Sequence, residues 1–166
     1  MPDTPTLHLV CGQAGAGKTT YAKNLEELES AIRFSKDEWI ITLYGRGLTV
    51  DQWSLYEPRC YACIKSVTIP LLKLGSNVIW DFGFWYRRER QEAKEFANRF
   101  SANCAIHYLA TPTEIRQARV VIRNSSLSNN SVAISMEDFE KQLSWFEPPS
   151  EEEGMTLKVV RNQSEV

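Results

Sequence analysis

The sequence predicts an α/β fold: a mostly parallel sheet with helices on both faces. Short apolar runs alternate with segments of helical period along the whole chain, and that alternation marks crossover-connected parallel strands. The first apolar run feeds a glycine-rich loop that opens straight into a helix. At 166 residues, 43% hydrophobic and 24% charged, the chain suits one domain with a substantial core.

In chain order, the apolar run Leu7–Cys11 reads as a buried strand and Lys18–Glu29 as a helix. Ala31–Ser35 is a short second strand. Asp51–Leu74 is helical, with a break expected near Pro58 and an end near Pro70. Asn77–Asp81 (NVIWD) is a third strand, and Arg87–Ser101 a charged amphipathic helix. Cys104–Leu109 is a fourth strand. Thr113–Arg123 is a helix capped by Thr111 or Thr113. A polar stretch, Asn124–Ser135, leads to a helix at Met136–Phe146 and a last strand at Met155–Val160.

The formal charge of −2 argues against broad electrostatic binding to nucleic acid or an anionic membrane, and leaves a local basic cleft open. No apolar run approaches the ~18 residues that span a bilayer. The segment MPDTPT carries no basic or apolar leader pattern, so a cytoplasmic location is expected. Cys60 and Cys63 form a C-x-x-C that could suggest metal or redox chemistry. No second ligand pair stands at zinc-site spacing, and the expected role is that of small buried hydrophobes on one helix face.

Gly12-Gln13-Ala14-Gly15-Ala16-Gly17-Lys18-Thr19 fits G-x-x-x-x-G-K-[ST] in full, and Thr20 follows it. Glycines let successive backbone N–H groups converge on an anion, and the helix that follows adds its positive dipole end. In such a loop the lysine, Lys18, reaches the β- and γ-phosphates and Thr19 ligates Mg²⁺. The loop therefore predicts binding of a nucleotide's phosphates with Mg²⁺ through Gly12 to Thr20.

Asp81 ends the third strand with a carboxylate, the place from which P-loop proteins hold Mg²⁺. The alternative is a residue that caps the next turn. Phe82-Gly83-Phe84 follows, without the glutamate that activates water in mechanical ATPases, and no N-K-x-D reads guanine. Asp37, in FSKDEW, projects from the carboxyl end of the second strand. An aspartate there can orient and deprotonate an attacking hydroxyl. Glu38 is its rival, and capping of the next helix is the alternative role.

Arg116, Arg119 and Arg123 share one helix, with Arg119 and Arg123 four apart on one face. With the polar stretch after them they suggest a lid at about 119–136 that closes over the transferring phosphoryl group. A solvated basic face is the alternative. Arg87, Arg88 and Arg90 open another helix against its dipole, which hints that one of them meets an anion or a carboxylate.

This order of motifs resembles the small P-loop kinases akin to the 5′-kinase domain of polynucleotide kinase, the zeta toxins and chloramphenicol phosphotransferase. Many of their relatives are known only as AAA-type ATP-binding proteins or predicted kinases. GQAGAGKTT resembles their phosphate loop, FSKDEW the segment of the base aspartate (Asp37), and EIRQARVVIRN the lid R-x-x-x-R (Arg119, Arg123). VIWDFGFWYRRERQEAKEFA resembles their third strand and arginine-bearing helix, with Arg90 as a substrate-binding candidate. FEKQLSWFEPPSEEE resembles their tail. The resemblance implies a three-layer P-loop NTPase fold, a five-stranded parallel sheet in the order 2-3-1-4-5 with a small lid. It also implies transfer of the γ-phosphate of ATP to a small-molecule hydroxyl. A nucleic-acid 5′-hydroxyl kinase and a nucleotide-dependent binding module are the rival functions. Where many relatives have an arginine after the base aspartate, this chain has Glu38, Trp39 and Ile40. The segment after strand three is unusually aromatic, and such rings could line an acceptor pocket or fill the core.

Overall fold

A computed structural model describes residues 4–125 and 133–161. Five parallel strands form one sheet in the order β2-β3-β1-β4-β5. They are β1 (Thr6–Cys11), β2 (Ile32–Ser35), β3 (Val78–Gly83), β4 (Asn103–Leu109) and β5 (Thr156–Val160). The helices are α1 (Lys18–Leu28), α2 (Lys36–Tyr44), α3 (Val50–Lys73), α4 (Arg87–Arg99), α5 (Thr113–Ser125) and α6 (Met136–Trp145). The central strands β1 and β3 are almost continuously buried, as expected of a sheet covered on both faces.

One layer of core joins Leu7, Leu9, Trp80, Ile64, Ala93 and Ile106, with an aromatic chain through Tyr61, Trp80, Phe82, Phe84 and Phe96. The other joins Val10, Ala22, Leu25, Ile79 and Leu109 under α1. A third, smaller cluster of Ala14, Val120 and Phe139 seats α5 and α6 on the glycine loop.

Two expectations for the helices need correction. α3 runs unbroken through Pro58 and past Pro70. Its buried stripe of Cys60, Ile64, Thr68 and Leu72 repeats every four residues across both prolines. Both prolines are exposed, so the rings that interrupt the backbone ladder lie away from the packed face. Cys60 is buried on that stripe, but Cys63 is exposed, so only the first cysteine of the C-x-x-C acts as a core residue. FSKDEW starts a separate helix, α2, capped by Ser35, whose hydroxyl accepts from the Glu38 amide.

Beneath the loop lies a buried polar chain. His8 Nδ1 on β1 is 3.0 Å from His107 Nε2 on β4, and His107 Nδ1 is 2.8 Å from the Tyr21 hydroxyl on α1. Burial lowers the pKa of both imidazoles, that of His107 to about 4, and each stays neutral at pH 7. His8 Nε2 has no partner among the described residues.

Candidate functional site

β1 ends where the loop must turn back into α1, and two glycines make that turn possible. Gly17, at φ 90°, is the N-cap of α1, and no side chain among the described residues caps that end. The first turn of α1 therefore offers its backbone N–H groups to a ligand. Gly15, at φ 76°, lies against the Arg116 carbonyl of α5, where a Cβ would collide with backbone. The loop is held from several sides. The Thr111 hydroxyl donates to Ala16 O at 3.1 Å, Gln13 Nε2 donates to Gln142 O of α6 at 3.1 Å, and the Trp85 indole donates to Gly12 O at 3.2 Å.

Around this loop opens a cleft of about 990 Å³, at the top of the range for ligand pockets. Lys18, Thr19, Thr20, Asp37, Asp81, Arg119 and Arg123 all line it. The structure thus brings together candidates drawn from four separate stretches of sequence. Lys18 Nζ rests on Gln13 O at 3.0 Å. Burial lowers its pKa, while the nearby carboxylates of Asp81 and Asp37 oppose that shift. Asp37 stands exposed to the cleft at the first turn of α2, with protein crowding its sides. That crowding raises its pKa, and Lys36 and Lys18 pull it back. Asp81 is buried; desolvation raises its carboxyl, opposed by Lys18 and Arg33.

Asp81 and Thr19 fit Mg²⁺ by donor chemistry. This ion takes hard oxygens, keeps several waters and needs only one or two protein ligands beside substrate phosphates. Arg33 Nη1 occupies Asp81 Oδ2 at 3.3 Å and leaves the other carboxylate oxygen for that role.

Arg123 is the most telling group. Its Nε and Nη2 are buried and have no hydrogen-bond partner among the described residues. Burial lowers its pKa and Asp37 opposes the shift, so the guanidinium lies within electrostatic reach of the candidate base. A buried guanidinium with two unmatched donors, beside Lys18, is arranged to receive an anion. Arg119 also lines the cleft. The stretch expected to form the lid lies partly outside the described residues, at 126–132.

Arg90 is a correction. Its side chain is fully buried on α4, bonded to both carboxylate oxygens of Glu153 at 2.7 and 2.8 Å and to Phe84 O at 3.0 Å. All of that donor capacity is turned inward, away from the cleft. The hint that one arginine of that run meets a carboxylate is met by this pair. Glu147 Oε2 also accepts from the Arg87 amide at the start of α4. The tail motif therefore holds α4 in place through Glu147 and Glu153.

Arg33 escaped the sequence reading. From β2 it reaches Glu26 on α1 (3.2 Å), Glu38 on α2 (2.8 Å) and Asp81 on β3. Glu38, the rival base, is thereby engaged with Arg33. No local pattern marks Arg33, because its partners converge only once the sheet is ordered.

Residues 7–149 match the model of a family described as an AAA domain. Among solved structures, a candidate kinase from Chloroflexus aurantiacus J-10-fl aligns with a TM-score of 0.76 at 16% identity, over 96% of this chain and 89% of that one. Kti12 of Chaetomium thermophilum, in complex with ADP-AlF3, aligns with a TM-score of 0.72 at 18% identity, over 95% and 89%. A chain of the Pnkp1/Rnl/Hen1 RNA repair complex aligns with a TM-score of 0.69 at 23% identity, over 86% of this chain and 44% of that one. The strand order, the glycine loop entering α1 and the match over residues 7–149 make this chain a member of the AAA domain family, with a P-loop kinase-like fold.

Proposed function

We propose that the protein transfers the γ-phosphoryl group of ATP, with Mg²⁺, to a hydroxyl of a small molecule. The observation that carries this reading is the pair of unmatched, buried donors on Arg123, held in one cleft with Lys18 and Asp37. An anion site beside an accessible carboxylate suits phosphoryl transfer to an alcohol. The missing glutamate next to Asp81 speaks against water as acceptor.

The loop amides and Lys18 bind the phosphates, and Arg123 with Arg119 faces the group in transit. Asp37 orients the acceptor and takes its proton. The acceptor oxygen bonds to Pγ as the bond from Pγ to the β-phosphate oxygen breaks. ADP departs, and the proton on Asp37 passes to solvent. Mg²⁺, held through Thr19 and Asp81, would neutralise phosphate charge and align the leaving oxygen. Catalysis here is mainly positioning and charge stabilisation.

Asp37→Asn tests the assignment. It is expected to bind ATP as tightly as the natural chain and to lose at least ~100-fold in transfer, in line with the loss of a general base. Full transfer by that variant would remove Asp37 as the base.

A further inference from the structure

The cleft has two halves of opposite character. The sheet order places β1 and its loop between β3 and β4. The cations Lys18, Lys23, Arg119 and Arg123 lie on the loop, α1 and α5. Across the cleft, the wall built by the ends of β2 and β3, the first turn of α2, the first two turns of α3 and the start of α4 carries Asp37, Glu38, Glu57 and Glu89. The cation that lines it among the described residues, Lys36, is bound to Glu57 and lies over the Phe82 ring, and Arg33 behind the wall is paired with Glu38 and Asp81. Trp53 and Tyr86 add flat apolar faces to the same wall.

Such a wall is rich in acceptors and poor in donors. A ligand must supply the donors, and hydroxyl and amine groups do so. Aromatic faces favour a ring with a C–H face, as in a sugar. A phosphate or carboxylate on the acceptor would meet like charge on a wall whose single ammonium is already paired.

On the phosphotransfer reading above, the geometry points to a non-anionic polyhydroxylated acceptor, a neutral sugar or an amino sugar, as the substrate class of this wall. This separates the site from one that receives a nucleic-acid 5′ end, which would bring phosphates to that wall.

The test is a matched acceptor series at fixed ATP and Mg²⁺: an amino sugar, its neutral parent, the corresponding sugar acid, the sugar phosphate and a 5′-hydroxyl oligonucleotide. ADP release and phosphorylated product are followed for the natural chain and for Asp37→Asn. Neutral or amine-bearing members are expected to exceed the anionic ones at least tenfold in kcat/KM. Glu57→Lys is expected to narrow that gap severalfold, and Trp53→Ala to raise KM for the preferred sugar with little change in ATP affinity. Asp37-dependent transfer that favours the sugar acid, the sugar phosphate or the oligonucleotide would overturn the acceptor class and leave the phosphotransfer reading standing. ATP bound but no Asp37-dependent transfer to any member would overturn both.

Discussion

Gly15 shows how narrow the tolerance of the loop is. Its positive φ and its contact with the Arg116 carbonyl are independent reasons to exclude a side chain. Gly15→Ala should weaken ATP binding at least tenfold, measured by titration calorimetry, because the loop must shift off α5 to admit the methyl group. The His8–His107 pair sets a different limit. Both pKa values are lowered by folding, so below the ordinary histidine value near 6.5, and for His107 down to about 4, the unfolded chain binds more protons. Stability is then retained above about pH 6.5 and falls as the pH drops through that window, by up to about 1.4 kcal/mol per pH unit for each proton. Urea unfolding at pH 7.5 and pH 5 should show this loss, and a His8→Gln, His107→Gln double variant should lose less across the same interval. The residues of the glycine loop could be read from sequence because their chemistry is local. Arg33 could not, since its ion pair with Asp81 joins positions 48 apart in sequence.

Among the elements, α4 and the segment after α6 depend on each other. Arg90 and Glu153 are buried at 0% and 1% side-chain exposure and satisfy each other. Breaking such a pair from one side leaves a stranded charge, so Glu153→Ala should cost about 3–5 kcal/mol in urea denaturation. An Arg90→Met, Glu153→Leu double variant should recover most of that loss, because the charge and its partner leave together. The elements also show where pattern reading fails. Two prolines suggested an interrupted helix. α3 nonetheless continues, because its four-residue apolar repeat lies on the face opposite the prolines. The arginine cluster YRRERQ could be recognised as a helix start. Which of its members turns inward depended on a glutamate 63 residues away.

For the whole molecule, the cleft joins groups from the loop after β1, from α2, from β3 and from α5. Nucleotide that bridges them stabilises only the folded state. ADP·Mg²⁺ at about 100 times its Kd should add about 2.7 kcal/mol, read as a rise in Tm of several degrees, and Lys18→Ala should abolish most of that rise. The alternation of strands and helices was legible along the whole chain, and the strand order came from the resemblance. The wall across from the loop was legible only at Asp37 and Glu38 of FSKDEW, because Trp53 and Glu57 on α3 belong to no motif of their own. A consequence follows for synthesis from the lock between α4 and the tail. Arg90 is translated well before Glu153, so a nascent chain that has finished α4 carries a guanidinium with no carboxylate to meet it. The core over α4 therefore closes late, after the polypeptide has emerged through Glu153, and chains halted short of that point should remain protease-sensitive at α4 even though β1, the loop and α1 are complete.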